Sequence, residues 1–529
     1  QGQGGPAKRR GFIMHDMTRR NFIAGAGTAA CTSLAAGMAL ADEPTAANGK
    51  VPEAWDFECD LLVLGAGSAG LSAAYAAAVD GQSVIVLERE DNVFTSSTCY
   101  CMGNYSACCT DRQEEAGIED SPEAMAEDML AWGGADGDYP SADTLRNENL
   151  VHTFTENCTD AYNLLRDWGL EFGPVINSSG HSTNRTYVTD PRQLCALLEE
   201  HCVEEGVEIK FETPFTELIA DGDGTVLGAY ATDPDGNTIA IRGKKATVLA
   251  TGAFMRNDTM MEEMLPGASK VDKVTGLGAY GDGFLAAMQL GAAMWGRSNL
   301  YFVEGYEPSG TLNYCELCQF GAIVVNKDGE RFTDDGQYWS NSRSRDLIKQ
   351  GINPDTGTYF AYTVIDQNIY DAAMAQGNPL GLTESKLEYL VSGETIEELA
   401  EKINAPKLAE TLAKYNEDMA NGEDTLFHRQ YLNGAGTGDP FPLDKPPYYA
   451  WANRPCILYA PTIGFICDDD FQAVDQYKRP VGGGRLFVLG EMMLRSIEGN
   501  HYLVGSAISA CVTFGLLVGA KIKDMEPAA

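Results

Sequence analysis

Apolar residues cluster in short unbroken runs near both ends of the chain and fall into helix and hairpin registers between them. Leu61-Leu62-Val63-Leu64 and Val84-Ile85-Val86-Leu87 each read as a strand buried on both faces, the pattern of a parallel sheet covered by helices. Between them, Leu71 to Val79 predicts a helix built mostly of alanine. Pro191 to Glu205 has the spacing of an amphipathic helix that opens on proline. Val207 to Phe211 is a short strand, and two more are expected around the turns Asp221-Gly222-Asp223-Gly224 and Asp233-Pro234-Asp235-Gly236. Lys245 to Ala250 is a further buried strand, Gly484 to Glu491 supplies a last one, and Gly505 to Ala520 a closing helix. These elements predict an α/β fold: a Rossmann-like domain from residues 58–280 and 445–529, with an α+β capping and substrate region, 281–444, inserted between them.

The join between the first strand and helix carries the chemistry. In Gly65-Ala66-Gly67-Ser68-Ala69-Gly70, the first glycine allows a tight turn and the second lets the backbone approach a pyrophosphate. The third lets the helix pack closely on the sheet. The helix N-terminus then faces phosphates, where free N–H groups and the macrodipole favour negative charge. Glu88 ends the second strand eighteen residues after Gly70, placed to accept hydrogen bonds from ribose hydroxyls. Strand, loop, helix, strand and acid in that order predict a dinucleotide site.

Composition narrows the partners. A chain of 529 residues exceeds one ordinary core, and 44% hydrophobic with 22% charged residues is globular. Its 76 acidic against 38 basic side chains give a formal charge of −38, which argues against nucleic acid and anionic lipid surfaces as partners. Residues 1–41 read as a twin-arginine signal region: Thr18-Arg19-Arg20-Asn21-Phe22-Ile23, an apolar run from Ala24 to Leu40, and Ala39-Leu40-Ala41 before Asp42. An exported protein, periplasmic or at the cell surface, is expected. Fourteen cysteines fit no disulfide framework: Cys99, Cys101, Cys108 and Cys109 crowd one loop, and Cys315 and Cys318 form a CxxC. Buried free thiols are favoured over an iron–sulfur cluster, and no metal is expected.

Several further motifs occur in a fixed order: Gln113 to Ser121, Leu249-Ala250-Thr251-Gly252, Gly281-Asp282-Gly283, Gly321 to Asn326 running to Arg331-Phe332, Tyr415-Asn416, Leu489-Gly490-Glu491, and Gly505-Ser506-Ala507 before Phe514-Gly515. With the glycine loop and Glu88 they make the chain, from about Cys59 to Ala520, resemble the flavoprotein family of soluble fumarate reductases, succinate dehydrogenase flavoprotein subunits and 3-oxosteroid dehydrogenases. The resemblance implies FAD. It implies that Arg89, Ala250, Thr251, Gly252 and Asp282 join the glycine loop and Glu88 in holding it, that Glu491 holds the ribityl or ribose part, and that Ser97, Thr98 and Gly103 form the loop beside the isoalloxazine ring. Ser506, Ala507 and Ile508 would open a helix toward the flavin pyrimidine edge. The usual Gly-Gly of the ring loop is replaced by Thr95-Ser96.

The departures bear on substrate. The family's catalytic arginine, eight residues beyond the match to Arg331, falls on Trp339 beside Tyr338, and its substrate-clamping arginine falls on Tyr502, after His501. Its proton-relay acid and arginine fall on Cys315 and Cys318, and its substrate histidines near Phe302, Ala460 and Pro461. Guanidinium groups bind dicarboxylates in paired hydrogen bonds, whereas a neutral phenol can donate to a ketone or pass a proton to carbon. The resemblance thus implies Tyr338 and Tyr502 as catalytic residues, His501 as orienting partner or alternative acid, and an apolar surround of Trp339, Phe302, Tyr301 and Met492. The expected reaction is enone reduction, or the reverse desaturation, of a 3-oxosteroid-like hydrophobic substrate. Alternatives are another activated alkene such as a cinnamate-like or fumarate-like acid, with Arg343, Arg345 and Arg495 as carboxylate ligands, or an electron-transfer subunit with no substrate of its own. One dinucleotide fingerprint leaves no second site for a nicotinamide, so an external carrier, a cytochrome or quinone system, is expected to exchange electrons.

Overall fold

The computed structural model describes residues 50–528 apart from 134–145, 179, 265–267, 271, 297–301, 307–316, 337–345, 348, 351–360, 377–381, 430–441, 458–462 and 500–501. The signal region lies outside the described residues, as do Cys315, Tyr338, Trp339 and His501.

Strand β1 (Phe57–Leu64), helix α1 (Ser68–Val79) and strand β2 (Val84–Leu87) form the first crossover. The two strands pair in parallel, Leu61 opposite Val84 through Leu64 opposite Leu87. All four residues of each run are buried, which is why neither alternates with polar residues. Strand β3 (Glu208–Lys210) extends the sheet beyond β2, following the amphipathic helix Pro191–Glu204, whose Asp190 caps it by accepting from Arg192 N–H. The two aspartate-glycine turns join β4 (Phe215–Ala220), β5 (Val226–Thr232) and β6 (Thr238–Leu249) into an antiparallel meander.

The long strand β6 locks the chain ends together. One side pairs in parallel with β1 along its length. On the other, Thr238 to Arg242 pair with β5, while Thr247 to Leu249 pair with β7 (Leu486–Val488) from the far end of the chain. The closing helix α2 (Ser506–Lys521) packs on α1 through two glycines one turn apart. A Cβ on Gly515 would stand 2.6 Å from Ala69 O, and one on Gly519 2.2 Å from Ala73 O, so the backbones touch where side chains would otherwise part them.

A second, six-stranded sheet joins Phe302–Tyr306, Tyr448–Ile457, Ala361–Ile365 and Ile323–Val325 in antiparallel order, with Leu390–Gly393 and Asp272–Lys273 also pairing to the long strand Tyr448–Ile457. Beside it lies a buried ion cluster: the Arg331 guanidinium bonds both carboxylate oxygens of Asp335 and of Asp424, and Arg429 donates to Tyr415 Oη at 2.8 Å. Those two acids push Arg331 further above its ordinary value despite burial. Arg331 is here a strut beside the second sheet, and breaking such a group by removing one member costs about 3–5 kcal/mol.

Candidate cofactor and active site

A cleft of about 1070 Å³, counting space open to solvent, runs over the C-terminal ends of β1, β2 and β6. Its lining runs from the glycine loop and the end of β2 to Glu491 and the opening of α2, which suits an extended ligand. At one end Glu88 accepts Ala66 N–H at 2.8 Å and Glu90 N–H at 3.0 Å. Burial pushes its carboxyl above the ordinary range, against those two bonds. Arg89 bonds Asp282, and its guanidinium sits over the Tyr280 ring at 5.3 Å. Arg89 is the only arginine or lysine among the described residues lining the cleft.

The middle of the cleft is glycine and hydroxyl. Gly65 turns at φ +107°, where a Cβ would meet Ala250 O at 2.4 Å, whereas at Gly67 it would meet nothing closer than 3.9 Å because that face opens on the cleft. On Gly70 it would meet Gly65 O at 2.0 Å. The N-cap Gly67 offers no side chain, so the positive end of α1 is presented to the cleft, with Thr98 Oγ1 accepting Ser68 N–H at 3.2 Å. Ser97 is held by Thr275 Oγ1 at 3.1 Å and accepts Gly276 N–H. At the far end, Glu491 stands on a tight turn after Gly490, and Ala507 and Ile508 open α2, which no side chain caps.

This set fits a dinucleotide flavin: a glycine cradle and a helix N-terminus for the pyrophosphate, an acid at each end for hydroxyls, and a second uncapped helix for the ring. Of the residues expected to bind FAD, Gly65, Gly67, Ser68, Ala69, Glu88, Arg89, Ser97, Thr98, Ala250, Thr251, Gly252, Asp282, Glu491, Ala507 and Ile508 line the cleft. Four do not. Ala66 serves through its amide on Glu88, and Gly70 through packing. Gly103 abuts the backbone of Thr189, where a Cβ would stand 2.0 Å from the oxygen, so chain packing by itself requires a glycine there. Ser506 is buried, with Oγ on Leu503 O at 2.7 Å and near Glu498.

Thr95 and Ser96, read from the sequence as standing in the ring loop, and Cys101 of the cysteine-rich loop also line the cleft, whereas sequence reasoning missed Pro214, Phe215, Gly276, Gly278, Ala279, Leu494 and Cys511. Only the glycine spacing Gly276-x-Gly278 carried a signal: a Cβ on Gly276 would stand 2.5 Å from Ser97 N. The crowded cysteines separate. Cys101 faces the cleft, Cys99 lies 3.5 Å from Cys195, Cys108 3.9 Å from Cys158, and Cys109 is exposed. Among the described residues, no group of three or more metal-ligating side chains converges.

Tyr502 is 8% exposed, forms with Val504 a small buried cluster against which Ala507 packs, and is not among the residues that line the cleft. Its Oη accepts Gly505 N–H at 2.8 Å, which ties the phenol to the opening of α2. Trp132 Nε1 donates to its backbone oxygen. Met492 is buried, its sulfur taking the Thr251 hydroxyl at 3.5 Å. Arg495 is buried and donates to Gly499 O.

Fold and cleft together define an α/β flavoprotein of the dinucleotide-binding type. A family model described as an FAD binding domain matches residues 60–508. The chain is 28% identical to a probable fumarate reductase of Shewanella frigidimarina over 87% of its own length and 74% of the relative's. It is 28% identical to the urocanate reductase of Eggerthella lenta, covering 89% and 75%. It is 30% identical to the acrylate reductase flavoprotein subunit of Shewanella woodyi, covering 94% and 97%. Among solved structures, the open conformation of a flavocytochrome c3 fumarate reductase superposes with TM-score 0.70 at 26% identity, covering 89% of this chain and 79% of that one. A 3-ketosteroid delta1-dehydrogenase from Sterolibacterium denitrificans shares the fold, TM-score 0.71 at 18% identity, covering 88% and 99%. The chain belongs to this FAD-binding family, among its flavin-dependent CH–CH oxidoreductases, and its cofactor is FAD.

Proposed function

We propose that this protein reduces, or in reverse forms, the carbon–carbon double bond beside a carbonyl in a hydrophobic, 3-oxosteroid-like substrate. Bound FAD would supply the hydride exchanged with the carbon β to the carbonyl. Tyr502 carries the reading: a phenol, where the family holds a carboxylate with a guanidinium, is tied by Gly505 N–H to the helix that opens on the cleft. Its O–H serves the proton at the α carbon or polarises the carbonyl oxygen. Tyr338 and His501 are proposed as its partners, and both lie outside the described residues. Among the described residues Arg89 is the only arginine or lysine lining the cleft, and it is bonded to Asp282, which supports a site not built on arginine forks, while Arg343 and Arg345 lie outside the described residues. A second reading, reduction of a small unsaturated acid, draws on the relatives named for fumarate, urocanate and acrylate.

We further propose that an external carrier, a cytochrome or quinone system, exchanges electrons with the flavin, and that the twin-arginine segment exports the protein. The second sheet and its helices are proposed as the cap over the substrate.

Steady-state turnover with a reduced artificial donor separates the readings. Hydrophobic 3-oxo-Δ4 compounds should exceed fumarate, urocanate and acrylate in kcat/KM, and Tyr502→Phe should lower kcat by about 10²–10⁴-fold with FAD retained, the usual worth of a positioned proton donor. Fumarate turned over as fast as the enones, or a fully active Tyr502→Phe, contradicts the phenol assignment.

A further inference from the structure

Glu498 ends the short helix Arg495–Glu498 and is only 3% exposed. Its Oε1 lies 3.1 Å from the hydroxyl of Ser506, the first residue of α2. Ser506 has one hydrogen to give, and Leu503 C=O, which can only accept, is nearer at 2.7 Å. The bonds close when Glu498 carries the proton: the acid donates to Ser506, and Ser506 to Leu503. The place matters because no side chain caps α2 and because Ala507 and Ile508, next in line, face the cleft. A helix N-terminus carries about half a unit of positive charge. An ionised Glu498 and a reduced, negatively charged cofactor would compete for it.

We propose that Glu498 is a redox-linked proton carrier that takes up one proton from solvent when the bound flavin is reduced and releases it on reoxidation. The electrons come from the external donor and go to the flavin. At Glu498 an O–H bond forms on reduction and breaks on oxidation, with no change in the residue's own oxidation state. Among the described residues, the charges that bear on Glu498 are Arg495 on its own helix, which favours the carboxylate, and Glu491 on the preceding turn, which opposes it. Cys511 on α2 is held as a thiol by burial, and His181, on Val504 O in the same turn, is pushed down to about 4 by burial and stays neutral. Burial outweighs Arg495 and pushes the Glu498 carboxyl up to about 7, so a further negative charge at α2 carries it across the physiological range.

The test is a spectroelectrochemical titration of the flavin in the holoenzyme, wild type against Glu498→Gln, on both sides of neutrality. Above pH 7 the wild-type midpoint potential should fall with pH more steeply than that of the variant, by one proton per two electrons, and below it the two should run parallel. Parallel lines throughout, in a variant that keeps its FAD, overturn the proposal. Should the variant fail to hold FAD, the redox-induced infrared difference spectrum of the wild type decides. A protonated-carboxyl band gained on reduction above pH 7 is expected, and no gained band overturns the assignment. Neither measurement uses a substrate, so the outcome is independent of which alkene is reduced.

Discussion

Glu88 accepts two backbone amides at the end of β2 while burial works against its charge, and its proposed hold on the FAD ribose should therefore depend on pH. Its folded carboxyl titrates above the ordinary range, so the folded apoprotein binds that proton more readily than the unfolded chain. Glu88's contribution to apoprotein stability is therefore full below the unfolded pKa and is lost as pH rises through the folded one. Ribose hydroxyls need the ionised acceptor, so binding FAD draws the other way and releases the proton. FAD affinity should fall on acidification, beginning at a higher pH than an ordinary glutamate would give. Glu88→Gln should flatten that dependence, and Glu88→Ala should weaken binding by about 10–150-fold, the worth of a hydrogen bond to a charged group at roughly 1.5–3 kcal/mol. Fluorescence titration of the apoprotein with FAD checks both, and a pH profile shared by wild type and Glu88→Gln would place the titrating group elsewhere.

At the scale of elements, the contact of α1 with α2 couples stability to the cofactor, because both helices present their N-termini to one cleft. Gly519→Ala sets a methyl against Ala73 O and should cost about 1–3 kcal/mol in chemical denaturation, as overpacking does, with weaker FAD binding as α2 shifts. An unchanged denaturation midpoint would show that the helices part at no cost. This contact also marks where local reading of the chain stops. The glycine loop and Glu88 were legible because a tight turn, a close approach and an acid at a strand end each demand a residue type at a fixed spacing. Helix α1 begins at Ser68 instead of Leu71, since the loop glycine itself is the N-cap. Gly103 shows the limit of such reading: a glycine reports that space is short, not what fills it, and at Gly103 the neighbour is Thr189. Leu494 and Cys511 reach the cleft through the pairing of β6 with β7 and the docking of α2, and Phe215 from the start of β4, and no local pattern announces such convergence. Glu498 was equally silent, since its significance depends on a hydroxyl eight residues away in the chain and on what lies beyond that.

For the whole molecule, the formal charge of −38 bears on how electrons arrive. A net field of one sign draws oppositely charged reactants and repels like ones, changing encounter rates by 10–10³-fold at low salt, and it fades as the Debye length shortens to about 10 Å at 0.1 M. A carrier for this enzyme should therefore present a basic face, and small artificial donors should report the same field. Stopped-flow reduction of the bound flavin by a cationic reduced viologen should slow several-fold as ionic strength rises from about 0.01 to about 0.1 M, while reduction by anionic dithionite should speed up over the same span. Opposite slopes for the two donors would tie electron entry to the acidic surface. Rates that ignore salt for both donors would mean that the acids lie away from the flavin's exposed edge, and the surface charge would then bear on solubility and not on electron transfer.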